Sequence, residues 1–351
     1  MKWLTSILIL LTGAATAQDS LYEEPDADRF RVAFWNLENL FDTVDDSLTR
    51  DDEFTEEGMR HWTGYRYYQK LQNMAKTLVA LGGWEPADIV GLCEVENKMV
   101  VRDLIERTPL KTSGYEIVHY QSPDSRGIDV ALLYNPETFT VLHSEPILVD
   151  FLEEGSRPTR DILYVKGITN ESDTLHVFIN HWPSRYGGHL ATNPKRMRAA
   201  TILRGVVDSL KAVNPCSNLI VTGDFNDEPE DESLQNGLRA HDKDAAAHGE
   251  FLVNLMIEKE GKEGTHKYQG AWGILDHMIV STPLLQGGCG LQVVDQQANI
   301  FRRDWLLEED PKYPGSRLNR TFIGMQYHGG FSDHFPVYID LAPLRIVLEG
   351  N

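Results

Sequence analysis

The stretch from Tyr327 to Asp340, Tyr-His-Gly-Gly-Phe-Ser-Asp-His-Phe-Pro-Val-Tyr-Ile-Asp, joins a polar loop to an apolar strand. Two glycines free the backbone for a tight loop, and residues 332–334 then place a hydroxyl, a carboxylate and an imidazole side by side. Pro336 stiffens the exit into a predicted strand, Val337 to Leu341. Such a loop supports chemistry well, because a carboxylate can bind a divalent cation and an imidazole can exchange a proton near neutral pH. The triplet alone is equally compatible with an exposed turn, so its meaning depends on the rest of the chain.

The composition is that of a globular protein. Its 351 residues are 41% hydrophobic and 25% charged, which leaves ample length for a buried core. The formal net charge of -20 argues against a protein that coats nucleic acid with a basic surface. It does not exclude a phosphate ester as substrate, because Mg²⁺ or Ca²⁺ bound in an acidic site reverses the local sign of charge.

The first 17 residues have the features of a secretory signal peptide. Lys2 supplies positive charge, Leu4 to Leu11 is apolar, and Ala15-Thr16-Ala17 is a cleavage site of small residues. The apolar run is too short to span a bilayer comfortably, and no later segment is apolar enough to do so. We therefore predict a secreted or periplasmic product without membrane insertion. A loose leader, 18–28, would precede a single domain, 29–345.

Three cysteines carry information about the compartment. In an oxidising compartment one disulfide could form and one thiol would remain free. The spacing of Cys93, Cys216 and Cys289 leaves the pairing open, and it does not suggest a zinc site.

Strand and helix patterns alternate along the chain. Helical periodicity covers 65–81 and 98–107, and a third helix is predicted to begin with Asn193 as N-cap and Pro194 at the first helical position. Predicted strands occupy 30–35, 88–95, 115–120, 128–134, 138–149, 161–168, 174–179, 219–222, 274–280 and 337–341. Strand, polar motif and helix recur in this order, which predicts an α/β layered fold with polar motifs at the strand exits, where such folds bind ligands.

Polar residues stand at or near the ends of these apolar strands. A charge in an apolar strand costs several kcal/mol unless it is paired or bound to a metal. Each one alone could be a buried salt bridge or a cap, but together they favour one shared site. The set is Asn36, Glu38, Glu94, His181, Asp224, Asn226, Asp276, Asp333 and His334.

One shared site suits the cleavage of a phosphodiester, which needs a cation, an oriented water and an acid for the leaving oxygen. Hard divalent cations prefer carboxylate and amide oxygens. The candidate metal ligands are Asn36, Glu38, Glu94 and Asp333.

The same chemistry needs a proton carrier. His334 with Asp276 is the candidate pair, because a carboxylate fixes the tautomer and orientation of an imidazole. Asp224 could orient the attacking water, and Asn226 could donate to a phosphate oxygen.

These motifs, in this order, resemble the endonuclease/exonuclease/phosphatase superfamily, which includes DNase I-like nucleases, sphingomyelinases and inositol polyphosphate phosphatases. The motifs run from the first strand nearly to the last, and the ordered set is far more specific than any single motif. They are Trp-Asn-x-Glu (35–38), Glu94, His181-x-Pro183, Gly-Asp-Phe-Asn (223–226), Leu-Asp (275–276) and Ser-Asp-His-x-Pro (332–336).

The resemblance implies a four-layer α/β sandwich in which two packed mixed sheets are flanked by helices, with one active site at their edge. It implies Mg²⁺, with Mn²⁺ or Ca²⁺ as alternatives, bound mainly by Glu94 with Asn36, Glu38 and Asp333 nearby. It also implies the His334–Asp276 pair, Asp224 as water activator and Asn226 on the phosphate. His181 matches the second histidine of the DNase I-like and sphingomyelinase-like branches, and the resemblance does not assign which histidine is acid and which is base.

Two features depart from the family pattern. Asn36 is followed by Leu-Glu-Asn where many relatives have an Asp and then Gly-Leu, so Glu38 would reach the metal through water or not at all. The acidic run from Asp42 to Glu57 is outside the shared pattern and is predicted to be a solvated loop. A Ca²⁺ loop is the alternative there, although the spacing does not fit an EF-hand.

Basic residues flank the motifs, either as balancing surface charges or as a rim that binds a polyphosphate chain. They are Arg185, Lys195, Arg196, Arg198, Arg302, Arg303, Lys312, Arg317 and Arg320, and Arg185 is the predicted substrate-binding residue. Trp182, Trp272, Trp305 and Tyr313 could stack on bases or pack internally.

The segment Asn-His-Trp-Pro-Ser-Arg-x-Gly-Gly (180–188) is most similar to secreted bacterial nucleases of the superfamily. The leading hypothesis is a secreted, monomeric, metal-dependent endonuclease acting on DNA or RNA. The alternative is a phosphatase or a phospholipase/sphingomyelinase-type phosphoesterase, whose lipid form is weakened by the lack of an amphipathic membrane helix. A binding protein with a retired site is disfavoured by the full set of polar residues.

Overall fold

The computed structural model describes residues 29–151, 157–170, 173–244, 249 and 251–344. The predicted signal peptide, 1–17, and leader, 18–28, lie outside these residues. Four α-helices have their bounds in this part of the chain: α1 (Gly64–Gly82), α2 (Lys98–Glu106), α3 (His189–Val213) and α4 (Thr282–Gln286). Short 3-10 helices occur at Asp52–Phe54, Pro109–Ser113, Ile257–Lys259, Val294–Gln296 and Asp304–Leu306, and a π-helical turn at Ser233–Leu238.

The strands in the described residues are, in chain order, β1 (Phe30–Leu40), β2 (Ile89–Val95), β3 (Glu116–His119), β4 (Asp129–Tyr134), β5 (Phe139–Ile147), β6 (Ile162–Thr169), β7 (Thr174–His181), β8 (Asn218–Asp224), β9 (Ala240–His241), β10 (Leu252–Asn254), β11 (His266–Tyr268), β12 (Ala271–Gly273), β13 (Asp276–Ser281), β14 (Leu291–Val293), β15 (Asn299–Ile300), β16 (Leu307–Glu309), β17 (Ser316–Leu318), β18 (Phe322–Ile323), β19 (Gln326–Tyr327) and β20 (Val337–Pro343).

Most of these strands form two large mixed sheets. Sheet I has the order β14-β20-β1-β2-β4-β3, with β15 also paired to β20, and sheet II has the order β5-β6-β7-β8-β13-β10-β9. The central pair of sheet I, β1 and β2, is parallel, and so is the central pair β7 and β8 of sheet II. Three two-stranded hairpins, β11–β12, β16–β17 and β18–β19, accompany the sheets.

Alternation along β1 shows how the layers are built. Val32 and Phe34 point into an apolar core shared with β6, β7 and β13 of sheet II, so the two sheets pack face to face. Ala33 and Trp35, on the opposite face, belong to a second core with α1 and α2. A third core packs α3 on the outer face of sheet II. The order α1/α2, sheet I, sheet II, α3 is the predicted four-layer α/β sandwich, which is confirmed.

Helix α1 extends one residue beyond its predicted bounds at each end. Its buried face is slightly rotated from the face that the sequence predicts. The apolar periodicity places Tyr68, Leu71, Met74 and Val79 on one face. Leu71 and Met74 are buried, but Tyr68 and Val79 are 44% and 45% exposed, and Lys70 beside this face is only 1% exposed. A buried ammonium beside this face bears directly on the site described below.

The predicted start of the third helix is wrong. Helix α3 begins at His189, with Gly188 as N-cap, and Pro194 lies inside it. Side chains supply hydrogen bonds in the first turn, because Thr192 Oγ1 donates to Gly188 O across 2.9 Å and Arg196 Nη2 donates to His189 O across 3.1 Å. These bonds stabilise a turn that precedes the proline, whose missing N–H would otherwise favour a start at Asn193.

The structure resolves the cysteine pairing that the sequence left open. Cys216 and Cys289 form a disulfide with their Cα atoms 5.8 Å apart, and it links the start of β8 to the start of β14. Cys93, in β2, is a buried free thiol. The bridge therefore connects the two sheets where β8 and β14 begin, far from the end of β8 that carries Asp224.

Candidate active site

The polar strand ends meet at one edge of the sandwich. Asn36, at the last regular pair of β1 with β2 before the register shift, donates from Nδ2 to Asp224 Oδ2 at the end of β8, across 3.0 Å. Its side-chain oxygen accepts the Glu38 N–H at 2.9 Å. The ladder between β1 and β2 shifts register between Asn36 and Leu40, and Glu38 has a φ of 51°. This bulge ends the regular pleat and redirects the side chains toward sheet II.

The loop before β20 is fixed at several points. Ser332 Oγ donates to the Asn36 carbonyl at 2.6 Å, and it accepts the His334 N–H at 3.1 Å. Trp35 Nε1 donates to the His334 carbonyl at 2.8 Å. His334 Nδ1 then lies 2.7 Å from Asp276 Oδ2 at the start of β13. The structure thus brings His334 and Asp276 together in an orientation that a proton carrier requires.

Asp224 stands between two imidazoles. Its Oδ2 atom is 3.8 Å from His334 Nε2 and 3.8 Å from His181 Nε2. Asp276 is its direct partner in the β8–β13 ladder, so both carboxylates face the same space. His181, Asp224 and Asp276 are at most 3% exposed.

Burial and crowding of charge shift the proton affinities in this cluster. Burial raises the pKa of the Asp224 carboxyl to about 7; His334 opposes this rise, and Asp276 and Glu94 add to it. Burial works against protonation of His334, but Asp276 and Asp224 together raise its pKa well above the ordinary value. Burial lowers the pKa of His181 well below its ordinary value, with Arg160 and Arg126 contributing. One charged and one neutral imidazole therefore flank Asp224.

Glu94, in β2, is the carboxylate that sheet I contributes next to His181. It has a φ of 58°, and the ladder between β2 and β4 shifts register around it. Its Oε2 atom accepts the Asn39 N–H at 2.9 Å, while Oε1 lies 3.8 Å from His181 Nε2. Its side chain is 14% exposed, so this carboxylate has both a fixed orientation and access to solvent.

Glu38 and Asp333 both form ion pairs with the guanidinium of Arg320. Arg320 lies 2.9 Å from Glu38 Oε1 through Nε and 2.7 Å from Asp333 Oδ2 through Nη2. Glu38 Oε2 also accepts the Thr321 N–H at 2.7 Å. Burial and Asp333 raise the pKa of Glu38. Burial would also raise the pKa of Asp333, but Arg320 together with His334, His266 and Lys70 lowers it. Arg320 thus already neutralises two of the four predicted metal ligands.

The remaining donors suit a hard divalent cation. Carboxylate and imidazole ligand atoms of Asp224, Asp276 and His334 lie within 4.8 Å of one another. The buried Asp276 Oδ1 atom has no hydrogen-bond partner among the described residues, and neither has His181 Nδ1. Glu94, Asp224 and Asp276 thus concentrate negative charge here. Oxygen-rich, charge-dense sites of this kind fit Mg²⁺, Mn²⁺ or Ca²⁺, and Glu94 and Asn36 would hold the ion.

Asn226 and Arg185 form a linked pair beside this cluster. Asn226 has a φ of 52°, its N–H donates to Asp224 Oδ1 at 2.9 Å, and its Nδ2 donates to the Trp182 carbonyl at 3.0 Å. Arg185 donates from Nε to the Asn226 carbonyl at 2.7 Å and from Nη2 to Asp231 at 2.8 Å. Arg185 therefore braces the Asn226 loop, and its own charge is largely neutralised.

Most of the flanking basic side chains have acidic or aromatic partners. Those with a carboxylate within 4 Å are Arg185, Arg196, Arg198, Arg317 and Arg320. Those that lie over an aromatic ring are Lys195, Arg302, Arg303 and Lys312. Of the predicted stacking residues, Trp182 is buried and Trp272 stacks on Phe335 with ring centroids 5.5 Å apart.

Sequence reasoning missed several residues of this region, among them Lys70 and His266. The Lys70 ammonium donates to the carbonyls of Glu38 and Phe331 at 3.1 and 2.8 Å, so it ties β1 to the loop before β20. Its position four residues before Met74, beside the apolar face of α1, was a readable signal for it. The His266 ring lies 4.8 Å from that of His334, and burial lowers its pKa to about 4. A lone histidine in β11 gave no comparable signal.

None of the described helices combines the length and apolarity needed to cross a bilayer.

No curated protein sequence matches this chain. Solved structures do. A mannosyl-6-phosphatase from Bacteroides thetaiotaomicron matches at a TM-score of 0.55 and 18% identity, over 89% of this chain and 99% of that one. The human Nocturnin catalytic domain with bound sulfate matches at 0.54 and 16% identity, over 90% and 95%.

A third similar structure is TDP2 from D. rerio complexed with a single-strand DNA product, with a TM-score of 0.52, 15% identity and coverage of 89% of this chain and 98% of that one. At these identities the structures establish a common fold. The sequence model of the endonuclease/exonuclease/phosphatase family matches residues 31–343, which is most of the chain. The protein therefore belongs to the endonuclease/exonuclease/phosphatase family and is a metal-dependent phosphoric ester hydrolase.

Proposed function

We propose that the protein is a secreted phosphodiesterase that hydrolyses internal bonds of nucleic acid with the help of Mg²⁺. The observation that carries the proposal is the position of Asp224, whose Oδ2 atom lies 3.8 Å from one nitrogen of His181 and of His334. Hydrolysis of a phosphodiester requires that the attacking water lose a proton and that the alkoxide leaving group gain one. Asp224 and His334 can serve these two transfers, with His181 close enough to contact the same phosphate.

The residues divide the work as follows. Asp224 orients the attacking water, His334 with Asp276 carries a proton, and Asn226 donates to a phosphate oxygen. His181, kept neutral by its depressed pKa, can donate its ring N–H to the same phosphate. A bound divalent cation, held by Glu94 and Asn36, would offset the negative charge that develops on the phosphoryl oxygens. Asp333 helps to keep His334 protonated through its charge, and both Asp333 and Glu38 are paired with Arg320.

Secretion is part of the proposal and is supported by the sequence of residues 1–17, with cleavage near Ala17. The Cys216–Cys289 disulfide also supports it, because such bonds persist in oxidising compartments. We propose one domain, 29–345, acting as a monomer. The solved TDP2 structure with a single-strand DNA product supports a nucleic-acid substrate on this fold.

A second candidate is a phosphatase that acts on small phosphate esters. Two observations favour it. The basic side chains around the site are largely paired, which leaves little free positive surface for a long polyanion. The similar mannosyl-6-phosphatase structure shows that the fold also supports that activity.

The deciding experiment is a substrate panel at one protein concentration. Supercoiled plasmid, a single-stranded RNA, a sugar 6-phosphate and sphingomyelin would each be incubated with Mg²⁺, Mn²⁺ or Ca²⁺. We expect nicked circles before linear DNA with Mg²⁺ and none with EDTA. Intact plasmid together with rapid release of phosphate from the sugar ester would establish the second candidate instead.

A further inference from the structure

Arg126 lies at the mouth of the site, in the loop between β3 and β4, and its side chain is exposed. Its Nη2 atom donates to Asn39 Oδ1 at 2.6 Å, and the N–H of that same Asn39 donates to Glu94 Oε2 at 2.9 Å. Asn39 therefore links the Arg126 guanidinium to Glu94, the main candidate metal ligand. The other oxygen of the same carboxylate, Glu94 Oε1, lies 3.8 Å from His181 Nε2, so Arg126 is linked through Asn39 to the part of the site where Glu94 and His181 meet.

The loop that carries Arg126 is firmly built. The Arg126 N–H donates to Asp124 Oδ1 at 2.8 Å, while Asp124 Oδ2 is paired with Arg160 Nη1 at 3.0 Å. Asp124 and Arg160 are each 7% exposed. Arg160 in turn donates to the carbonyl of Trp182, the residue after His181. A buried ion pair thus fixes the backbone from which Arg126 projects.

Arg126 differs from the other arginines at this edge in what it contacts. Arg185 lies 2.8 Å from Asp231, and Arg320 lies 2.7 Å from Asp333, so each already has a carboxylate. In the described part of the chain, the side-chain partner of Arg126 is the neutral amide oxygen of Asn39. A phosphate replaces a neutral amide readily, because a guanidinium makes charge-assisted, bidentate bonds to phosphate oxygens.

We propose that Arg126, and not Arg185, is the arginine that binds the reacting phosphate group of the substrate, next to Glu94 and His181. This inference rests on the proposed function, since it assigns a residue to the same site. Asn39 holds the guanidinium in place until a phosphodiester arrives and then releases it to the non-bridging oxygens. Arg185 keeps the Asn226 loop in position.

The test compares Arg126→Gln, which removes the charge, with Arg126→Lys, which keeps the charge without the planar fork. The matched control is Arg107→Gln, because the Arg107 side chain is 53% exposed and is paired with Asp103 on α2, outside the flanking basic residues. Each variant is assayed on plasmid DNA and on bis(p-nitrophenyl) phosphate, with inorganic phosphate as inhibitor. Melting temperatures confirm that the variants are folded.

We expect Arg126→Gln to raise KM for both substrates and the inhibition constant of inorganic phosphate by about tenfold or more. Arg126→Lys should fall between this variant and the wild type, and Arg107→Gln should stay within about twofold of the wild type. Unchanged KM and inhibition constant in a folded Arg126→Gln would overturn the inference. So would an effect on DNA alone, which would mean contact with a remote phosphate.

The same assays separate this inference from the proposed function. A wild type that leaves plasmid intact but hydrolyses the small ester would refute the nuclease proposal, and Arg126 would still be judged on the ester and on phosphate inhibition. A wild type that nicks plasmid, with an Arg126→Gln variant that does so at normal KM, would refute only the role of Arg126.

Discussion

Asn36 and Asp224 are 188 positions apart, yet the amide of one donates to the carboxylate of the other across 3.0 Å. This bond joins the end of β1 in sheet I to the end of β8 in sheet II, and the first prediction concerns it. Asn36→Asp replaces the donor by a second carboxylate that repels Asp224, and Asn36→Ala removes the contact without adding charge. We expect kcat to fall more in Asn36→Asp, by about 100-fold or more. Equal kcat values in the two variants would show that repulsion is unimportant.

The second prediction concerns the pair formed by His334 and Asp276. Asp276→Asn preserves the shape of the side chain but removes the charge that orients and supports the imidazole. We expect kcat to fall by about 10²- to 10⁴-fold with KM nearly unchanged. Because the two residues act as a unit, a variant that combines this change with His334→Ala should be little worse than His334→Ala alone. Multiplicative losses in steady-state kinetics would contradict a shared role.

The third prediction separates Glu94 from Glu38. Calorimetric titration with Mg²⁺ should show Glu94→Gln weakening the affinity about 10- to 100-fold. Glu38→Gln should leave it within about threefold, because Glu38 is held by Arg320 and the Thr321 amide. The same change should lower the free energy of unfolding by about 2 kcal/mol through the weakened contacts. Comparable losses of Mg²⁺ affinity in both variants would restore Glu38 as a ligand.

The fold was largely readable from the sequence. Helices α1 and α2 and the central strands follow from apolar periodicity, and the layers follow from their alternation. The start of α3 was not readable, because the side chains of Thr192 and Arg196 stabilise the turn before Pro194. Tertiary hydrogen bonds of this kind override a local capping signal.

The site was readable as a set of residues but only partly as a set of contacts. Asp276 and Glu94 stood out because a charge in an apolar strand needs an explanation. The partners of Glu38 and Asp333 did not, because Arg320 reaches them from a loop nearly 300 positions away from Glu38. Long-range pairing of this kind depends on the packed geometry. Arg126 was missed for the same reason, since a turn sequence does not tell which way its arginine points.

The fourth prediction concerns pH and a histidine behind the site. His277 is fully buried; Nε2 faces the Asp227 carbonyl at 2.9 Å and Nδ1 accepts from Asn254 at 3.0 Å. Burial lowers its pKa to about 4. The unfolded chain protonates this residue near pH 6.5 and the folded chain near pH 4, so stability falls as pH drops through that window.

Chemical denaturation at pH 7 and pH 5 measures this effect. We expect the wild type to lose about 2 kcal/mol more than His277→Gln between the two pH values. His143→Gln is the control, because the His143 side chain is 54% exposed and should leave the pH dependence close to that of the wild type. An unaltered pH dependence in His277→Gln would mean that His277 takes up a proton as easily in the folded state.

The fifth prediction concerns the disulfide. Cys216 and Cys289 are separated by 73 positions, so the bond restricts a long loop of the unfolded chain. Replacing both by Ala should lower the free energy of unfolding by about 3–4 kcal/mol. Turnover at 25 °C should be unaffected, since the bond lies at the opposite edge from Asp224. A large loss of turnover in a fully folded variant would show that the bridge also shapes the site.

The Asn36–Asp224 bond has a consequence for how activity is acquired during folding. Asn36, Glu94 and His334 are held by sheet I, while His181, Asp224 and Asp276 belong to sheet II. Neither half contains a working set of groups, so hydrolysis begins only when the two halves dock in register. Turnover therefore measures whether the two sheets have docked. A nascent or damaged chain in which both sheets form but do not pack against each other should not hydrolyse phosphoesters.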